Sequence, residues 1–306
     1  IKIDEPTVSM FFHVNNGPFA GKEGKFLTSR NISERLHRET LSNVSLKINA
    51  TDETDVFEVC GRGELQMAVL IETMRREGYE FMVSKPRVIT KEENGKILEP
   101  VESIFLDLEE DHTGVITEKL SKRKGRMVNL QNNGFGRVTL EFKVPSRGMI
   151  GFRSEFLTDT KGSGILNSLF DSYAPWFGPI PQRNSGVIIA DRPGKVTQYA
   201  SLAMADRGEL FTDIGTEVYK GMIVGERNKT GDLDVNIIRE KKLTNMRSAS
   251  KDNTVVLRPP RKLSLDQCIE FIAEDELIEI TPLTLRMRKM ELDVNKRISQ
   301  AKKEKG

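Results

Sequence analysis

Alternating hydrophobic and polar positions near the start of the chain predict a β-strand with one apolar face. Val8, Met10, Phe12 and Val14 lie on the same side of such a strand over residues 7–15. The elements predicted to follow are a polar helix at 28–41, strands at 44–50 and 55–60, an amphipathic helix at 64–77 and a strand at 79–84. This βαββαβ order is typical of a ferredoxin-like domain, here residues 1–84.

A second βαββαβ pattern is predicted after residues 85–100, which contain two prolines and a charged middle and are expected to form a linker. Its elements are a strand at 101–108, a helix at 112–124, strands at 126–131 and 136–144 joined through Asn132-Asn133-Gly134, a helix at 146–157 and a strand at 164–173. The proline-rich run at 175–181 marks a domain boundary. Residues 101–175 are therefore predicted to form a second ferredoxin-like domain.

Residues 176–306 are predicted to form a β-rich C-terminal domain. Its expected strands are 186–190, 197–204, 208–212, 217–219, 222–227, 254–258 and 277–281, and helices are expected after Ser264 and at the C-terminal end. Apolar residues are sparse and unperiodic over 225–253, so we expect a long loop there. The predicted fold class is α+β: two ferredoxin-like βαββαβ domains followed by a β-rich C-terminal domain with a long basic loop.

The composition is that of a globular chain, with 37% hydrophobic and 30% charged residues. The longest apolar runs have four or five residues, whereas a membrane-spanning helix needs roughly 20, so we expect no membrane association. No basic-then-apolar leader is present, and Cys60 and Cys268 are interpreted as core thiols, so the predicted location is cytoplasmic. Three histidines nearly exclude a His/Cys metal cluster. Because the chain starts at Ile1 and soon enters a strand pattern, we expect a piece of a longer protein.

Positive charge is concentrated in three segments, although the net charge of the chain is only +2. Residues 239–262 contain eight Lys/Arg and two Asp/Glu, residues 286–306 contain eight and three, and residues 119–126 contain five and none. Basic patches on an otherwise acidic chain predict a polyanionic partner. We interpret the lysine-rich tail after Glu291, in contrast, as a solvated helix surface.

The segment 119–126 places cations at i, i+3, i+4 and i+7 of a predicted helix. The five cations are Lys119, Lys122, Arg123, Lys124 and Arg126. Gly125 is predicted to end the helix as its left-handed residue. One or two cations suffice to complement a helix dipole, at about 0.3–1 kcal/mol each, whereas five repel one another unless a polyanion shares the site. We therefore predict contacts with RNA phosphates, with dipole complementation as the alternative.

The predicted loop at 225–253 mixes lysine and arginine with small polar residues. The candidate RNA-binding residues in it are Lys241, Lys242, Asn245, Arg247 and Lys251. Such a mixture can approach a sugar-phosphate backbone and donate hydrogen bonds to it. The segment contains no aromatic residue, so base stacking is not expected, and shape-and-phosphate recognition of folded RNA fits better.

Catalytic motifs are missing from the sequence. It contains no G-x-S-x-G, no H-E-x-x-H and no G-x-x-x-x-G-K-[ST]. Gly61-Arg62-Gly63 lacks the third glycine of a dinucleotide fingerprint, and we interpret it as a tight strand-to-helix turn. We predict no catalytic, metal-binding or cofactor-binding residue and no enzymatic activity for this chain.

Several strings resemble translational GTPases of the elongation factor G superfamily. Residues 5–10 (EPTVSM) and 60–66 (CGRGELQ) resemble domain III of these factors, and residues 98–101 (LEPV) with the 120–126 segment resemble domain V. Only the short linker joins the two, as in the LepA and BipA families. The strings that resemble the C-terminal domain peculiar to the BipA (TypA) family are 186–205, 241–247 (KKLTNMR) and 275–282 (DELIEITP).

The resemblance, which covers essentially the whole chain, implies a ribosome-associated GTPase linked to large-subunit assembly and translation regulation. It implies that GTP and Mg²⁺ bind a domain outside this chain. It also implies that Lys122, Arg123, Lys124 and Arg126 face large-subunit rRNA, and that the basic loop reaches the A-site tRNA and the peptidyl-transferase region. We expect the ribosome as partner, a monomer, and no DNA binding. The alternative is a protein–protein interaction platform whose basic loop meets an acidic protein without RNA contact.

Overall fold

The structure, a computed structural model, describes residues 5–180, 183, 185–241 and 258–303. The fold is a mixture of α-helices and β-sheets. The chain divides into two compact units, which we call unit 1 and unit 2. Unit 1 comprises residues 1–182 with 265–271 and 280–284, and unit 2 comprises residues 183–264, 272–279 and 285–306.

The first part of unit 1 contains one antiparallel sheet and two helices. Its elements are β1 (Val8–Val14), α1 (Ser29–Ser42), β2 (Lys47–Ala50), β3 (Val56–Gly61), α2 (Glu64–Arg76), β4 (Phe81–Ser84) and β5 (Arg87–Val88). The strand order is β4-β1-β3-β2, with β5 beside the start of β1. Met10 and Phe12 on the predicted apolar face are fully buried, and the ring of Phe12 stacks on Phe81 at 5.4 Å between centroids.

Both helices of this part follow the sequence pattern. Thr28 caps α1 by accepting a hydrogen bond from the Asn31 N–H, while the Asn31 side chain accepts from the Thr28 N–H. This capping box satisfies two N–H groups that would otherwise lack partners at the helix start. In α2 the predicted apolar stripe from Met67 to Met74 is buried.

The glycines at residues 61–63 form the predicted strand-to-helix turn. A Cβ on Gly61 would lie 2.4 Å from Met67 Cε and 2.6 Å from Gln66 Oε1, so a larger residue there would displace the ends of these two side chains. The Arg62 N–H donates to Gln66 Oε1 at 2.7 Å. The turn is held by α2 itself, which confirms the structural interpretation of this motif.

The second part of unit 1 contains another antiparallel sheet. Its elements are β6 (Lys91–Glu93), β7 (Lys96–Glu109), a 3₁₀ turn (Glu110–His112), α3 (Thr113–Lys122), β8 (Arg126–Gly134), β9 (Arg137–Pro145), α4 (Ser146–Met149), α5 (Phe152–Asp159) and β10 (Ile165–Pro175). The strand order is β10-β7-β9-β8, with β6 paired to β7. Ile104, Phe142, Phe152 and Phe156 are fully buried in its hydrophobic core.

Two sequence predictions for this part are wrong. The linker predicted at 85–100 is structured, because β5, β6 and the first residues of β7 lie within it. β6 and β7 form a hairpin whose turn residues Asn94 and Gly95 have φ of 53° and 72°. The alternation of this hairpin is hidden in the sequence by charged residues on exposed positions. The helix predicted at 146–157 is interrupted at Gly151, whose φ of 76° is left-handed.

The β8–β9 hairpin turns later than predicted. Gly134 pairs with Arg137, so the two turn residues are Phe135 and Gly136, with φ of 54° and 75°. Positive φ at both central residues is the geometry of a type I′ turn, which matches the twist of the flanking strands. The asparagines at 132–133 belong to the end of β8 instead.

Unit 2 is built from short strands and helices. The remaining elements of the chain are β11 (Val187–Ala190), β12 (Gly194–Lys195), α6 (Gln198–Met204), β13 (Gly208–Leu210), β14 (Glu217–Val218), β15 (Ile223–Arg227), β16 (Leu233–Val235), α7 (Leu265–Phe271, part of unit 1), β17 (Glu276–Ile280), β18 (Leu285–Lys289) and α8 (Val294–Lys303). One sheet has the order β13-β15-β11-β16, with β16 parallel to β11. β12 pairs with β14, and β17 neighbours β18.

Two predictions for unit 2 are wrong. The strand predicted at 197–204 is the helix α6, because Thr197 caps it by accepting from the Ala200 N–H and because Ala200, Ser201 and Met204 are buried at helical spacing. The first part of the loop predicted at 225–253 contains strands instead. β15 extends to Arg227, β16 follows, and Val235 is buried. The strand predicted at 254–258 lies outside the described residues, apart from position 258.

Unit 2 contains a buried lysine, Lys289, that forms ion pairs with three carboxylates. Lys289 is only 2% exposed, and its Nζ lies 2.6 Å from an Asp232 oxygen and 2.9 Å from oxygens of Asp275 and Glu276. Arg183 also contacts Glu276 at 2.9 Å. Burial opposes the charge of Lys289, but the charge of Glu276 and the hydrogen bonds that Lys289 donates to the aspartates outweigh this, so the pKa of Lys289 is raised.

Both cysteines are buried free thiols, as predicted. Burial raises the pKa of Cys60 to about 11 and that of Cys268 to about 12. A thiol with such a pKa carries little nucleophilic thiolate near neutral pH.

Across the residues with described coordinates, no helix combines the length and the apolar character that crossing a bilayer requires.

Candidate nucleic-acid interface

The five cations predicted at 119–126 lie at the C-terminal end of α3 and the start of β8. Helix α3 is anchored by Ile116 and Leu120, which are fully buried. It ends two residues earlier than predicted, at Lys122, so Arg126 lies on β8 and not on the helix. The i, i+3, i+4, i+7 stripe is therefore divided between a helix, a turn and a strand.

Lys124, and not Gly125, is the left-handed residue that ends α3. Its φ is 65°, and its N–H donates to the Ser121 carbonyl at 3.0 Å. The Gly125 N–H donates to the Leu120 carbonyl at 2.7 Å, which completes a Schellman motif. Gly125 is required for a different reason: a Cβ there would lie 2.9 Å from the Leu120 carbonyl oxygen and 3.1 Å from a Val144 methyl.

Lys119 and Arg123 are committed to ion pairs within unit 1. Lys119 Nζ lies 2.7 Å from Asp159 Oδ2. Burial disfavours its charge, but the hydrogen bond to Asp159 and the nearby carboxylates prevail, so the pKa of Lys119 is raised. Arg123 contacts carboxylate oxygens of Glu155 at 3.3 Å and Glu270 at 3.1 Å.

Arg123 also holds the backbone between α4 and α5. Its guanidinium donates to the Gly148 carbonyl at 3.0 Å and the Ile150 carbonyl at 2.8 Å, and it lies 5.7 Å from the centroid of the Phe152 ring. Because all of these contacts point into the protein, Arg123 has a structural role in unit 1. Its side chain is only 17% exposed.

The other three cations face solvent. Lys122, Lys124 and Arg126 are exposed, and Lys122 forms a surface ion pair with Glu118 at 2.6 Å. Among the described residues, no carboxylate forms an ion pair with Lys124 or Arg126. This exposed group of Lys122, Lys124 and Arg126, which we call the α3–β8 cluster, can bind an anion without first breaking a buried contact.

Several carboxylates lie near the Arg123 guanidinium, namely those of Glu64, Glu155 and Glu270. Glu64 Oε2 accepts a hydrogen bond from the Gly151 N–H at 2.7 Å. Burial raises the pKa of Glu64 to about 7, opposed by this hydrogen bond and by Arg123 and assisted by the charges of Asp266 and Glu270. Burial likewise raises the pKa of Glu270 to about 7, with Glu155 adding to the effect and Arg123 opposing it.

The second group of predicted residues begins at Lys241, the last described residue before positions 242–257. Lys241 is exposed, whereas Lys242, Asn245, Arg247 and Lys251 lie outside the described residues. The segment that leads to Lys241 is tied to α6, because Thr197 Oγ1 donates to the Arg239 carbonyl at 2.5 Å. The structure thus locates the start of the basic segment beside the N-terminal turn of α6.

Sequence reasoning missed an aromatic residue at this position. Tyr199, on α6, is 38% exposed, and the Arg239 guanidinium carbon lies 5.6 Å from its ring centroid. The two residues are 40 positions apart, so inspection of the basic segment alone could not find the pair. In the part of the chain that the structure describes, no group of three or more His, Cys, Asp or Glu side chains could hold a metal ion.

Comparison with known families assigns most of the chain. The family model "TypA/BipA C-terminal domain" matches residues 185–294, and the model "Elongation factor G C-terminus" matches residues 96–184. The first match contains β11 to β18, and the second contains β7 to β10. The α3–β8 cluster therefore lies in the region that matches the elongation factor G model. The Tyr199–Arg239 pair lies in the region that matches the TypA/BipA model.

Curated relatives match the chain from end to end. The protein named "Large ribosomal subunit assembly factor BipA" from Bacillus subtilis is 50% identical over 306 residues, which are 100% of this chain and 50% of that protein. Proteins of the same name from Salmonella typhimurium and Haemophilus influenzae are also 50% identical, over 97% of this chain and 49% and 48% of their own lengths. The chain spans about half the length of the curated relatives it matches.

Proposed function

The chain belongs to the TypA/BipA family of the elongation factor G superfamily, and from this premise we propose that it is the ribosome-binding part of a large-subunit assembly factor. The proposed partner is the ribosome, with large-subunit rRNA as the main contact. We further propose that the parent protein is a translational GTPase, that it acts in translation regulation in the cytoplasm, and that this part of it is monomeric.

One observation carries the proposal for rRNA: the α3–β8 cluster. Five cations fall within eight residues, and the two that are half-buried are paired with Glu155, Asp159 and Glu270. Lys122, Lys124 and Arg126 are exposed at the end of α3, in the following turn and at the start of β8. Lys124 and Arg126 have no carboxylate partner among the described residues, and Lys122 has only its exposed pair with Glu118, so a phosphate backbone can bind all three at little cost.

The basic segment of unit 2 is proposed as the second contact. Lys241 is exposed at its start, and the prediction that Lys241, Lys242, Asn245, Arg247 and Lys251 bind the A-site tRNA near the peptidyl-transferase region stays a proposal.

Strand orders of β4-β1-β3-β2 and β10-β7-β9-β8 support the ferredoxin-like interpretation of both parts of unit 1.

We propose that this chain alone neither binds nor hydrolyses GTP. The sequence contains no G-x-x-x-x-G-K-[ST] loop whose N–H groups could hold nucleotide phosphates. Isothermal calorimetry of the purified chain with GTP and Mg²⁺ should give no heat of binding. Micromolar affinity for GTP would overturn this part of the proposal.

Co-sedimentation with purified 50S and 70S particles over a range of salt concentrations tests the ribosome proposal. Binding through phosphates makes log K fall linearly with log salt, by roughly 0.7–0.9 per phosphate contact on regular nucleic acid. A single variant with four substitutions should lower that slope by about three: Lys241→Gln, Lys242→Gln, Arg247→Gln and Lys251→Gln. The triple variant Lys122→Gln, Lys124→Gln, Arg126→Gln should lower it by about two.

The competing proposal is a platform for an acidic protein. Ribonuclease treatment distinguishes the two, because an RNA contact is lost with the RNA whereas a protein contact persists. A matched control is Lys220→Gln, which removes a surface cation paired with Asp293 in unit 2 and should leave ribosome affinity and salt slope unchanged. Failure of the unchanged chain to co-sediment at low salt would contradict the proposal.

A further inference from the structure

Tyr199 and Arg239 form an aromatic–cation pair at the start of the basic segment of unit 2. Two backbone segments bring them together. The Thr197 N–H donates to the Ile237 carbonyl at 3.2 Å, and Thr197 Oγ1 donates to the Arg239 carbonyl at 2.5 Å. The position of Tyr199 is therefore fixed by α6 on one side and by the 237–239 segment on the other.

The Arg239 guanidinium is available for another partner. Its carbon lies 5.6 Å from the centroid of the Tyr199 ring, near the outer limit of about 6 Å for a cation–π contact. Among the described residues, no carboxylate pairs with Arg239 or with Lys241. Arg147 in unit 1 differs in both respects: it lies 3.7 Å from the Trp176 ring and is paired with the fully buried Glu99 at 2.5 Å.

From this arrangement we infer that Tyr199 is a stacking platform for an unpaired RNA base, while Arg239 contacts the phosphate of the same nucleotide. The inference rests on the proposed ribosome function and adds a base contact to a site that the sequence suggested would contact only phosphates. An exposed aromatic ring beside an unpaired arginine is the combination that single-stranded nucleic acid requires, since every base has a face that can stack. Lys241, two residues after Arg239, adds a further exposed cation.

An unpaired RNA base is favoured over a protein partner by charge. The segment from Arg239 onward is strongly basic, and the aromatic ring lies at its beginning. A protein partner would have to be acidic to match the segment. RNA supplies both the anion and a flat π-surface at the spacing of a single nucleotide.

The variant Tyr199→Leu tests the stacking, with Tyr199→Phe as its matched control. Ribosome affinity is measured by co-sedimentation at several salt concentrations. Loss of a stacked base should weaken binding by about 5- to 150-fold in Tyr199→Leu, without change in the salt slope, because no charge is removed. Tyr199→Phe retains the ring and should bind within about twofold of the unchanged chain. Arg239→Gln should lower the slope by about 0.7–0.9, and Arg239→Lys should restore it.

The outcomes separate this inference from the proposed function. If the unchanged chain binds ribosomes and Tyr199→Leu binds equally well, the stacking inference is wrong and the ribosome proposal stands. Weak binding by Tyr199→Phe would assign the effect to the hydroxyl group and would also overturn stacking. If the unchanged chain does not bind at all, the proposed function falls, and this inference with it. A thermal melt of each variant controls for folding, since Tyr199 is exposed and its replacement should change stability little.

Discussion

Arg123 and Glu270, 147 residues apart in the sequence, are joined by a hydrogen bond of 3.1 Å between the guanidinium and the carboxylate. The contact lies within unit 1, to which α7 belongs although it follows the basic segment in sequence. The same guanidinium holds the carbonyls of Gly148 and Ile150. A cation that the sequence suggests for RNA binding thus connects three segments of unit 1.

Replacing Arg123 with methionine should therefore destabilise unit 1. The substitution keeps the apolar stem but removes the Arg123 donor from Glu270 and from two carbonyls, and it leaves Glu155 with the more distant Lys119 at 3.7 Å. We expect the free energy of unfolding to fall by about 1–3 kcal/mol, measured by urea denaturation. Lys122→Met, which removes an exposed ion pair next to it, is the control and should cost no more than about 1 kcal/mol. Equal effects of the two substitutions would contradict a structural role for Arg123.

Stability should depend on pH through Glu64. The pKa of Glu64 is about 7 in the folded chain because of burial, compared with an ordinary value of 4.5. A carboxyl with a raised folded-state pKa binds its proton more tightly when folded, so the free energy of unfolding decreases as pH rises from about 4.5 to about 7. Glu270, whose pKa is also raised to about 7, contributes in the same direction. Asp266 and Glu155 add negative charge to this group, and Arg123 opposes them.

The variant Glu64→Gln should flatten this decrease when urea denaturation is repeated between pH 5 and pH 8. The amide oxygen can still accept the Gly151 N–H, so the local geometry is retained while the titration is removed. Glu118→Gln is the control. A hydrogen bond and the charge of Lys122 lower the pKa of Glu118, so its titration lies below this pH range. A decrease as steep in Glu64→Gln as in the unchanged chain would exclude Glu64 as its source.

Lys289→Met should destabilise unit 2 more than a surface substitution does. Glu276 is fully buried and would retain Arg183 but lose its second cation, and Asp232 and Asp275 would lose theirs. Removing one partner of a buried ion pair typically costs about 3–5 kcal/mol, and the exposed aspartates place the expected loss near the lower end. Lys220→Met, whose partner Asp293 lies at the surface, should cost at most about 1 kcal/mol. Guanidinium denaturation followed by circular dichroism measures both.

The parts of the fold that the sequence predicts well are those where one periodicity dominates. The strand β1 and the helix α2 have a single apolar face each, and both lie where predicted. The errors fall where the pattern is ambiguous. Residues 197–204 are compatible with a strand until Thr197 is recognised as a cap, and β16 is hidden because its buried residue is surrounded by charges.

The candidate site is predictable in composition but not in geometry. The sequence identifies the cations at 119–126, yet it cannot indicate that Lys119 and Arg123 find carboxylates on α5 and α7. The partner Glu270 is too distant in the chain for any local pattern to connect it to Arg123. Tyr199 is missed for the same reason, because its neighbour Arg239 is joined to it only by the folding of unit 2.

Lys124 combines a strained backbone with an exposed charge, and two substitutions separate these properties. Its φ of 65° is a conformation that costs a residue with a Cβ about 1 kcal/mol or more relative to glycine. Lys124→Gly should therefore raise the free energy of unfolding by about 0.5–1 kcal/mol, because glycine is the preferred residue at this position of a Schellman motif. Lys124→Gln keeps a Cβ, so its stability should stay within about 0.5 kcal/mol of the unchanged chain. Both remove the charge, and both should lower the salt slope of ribosome binding by about 0.7–0.9. Urea denaturation and salt-dependent co-sedimentation measure the two effects. A salt slope that is unchanged in both variants would show that Lys124 does not contact phosphate, and a loss of stability in Lys124→Gly would contradict the assigned backbone strain.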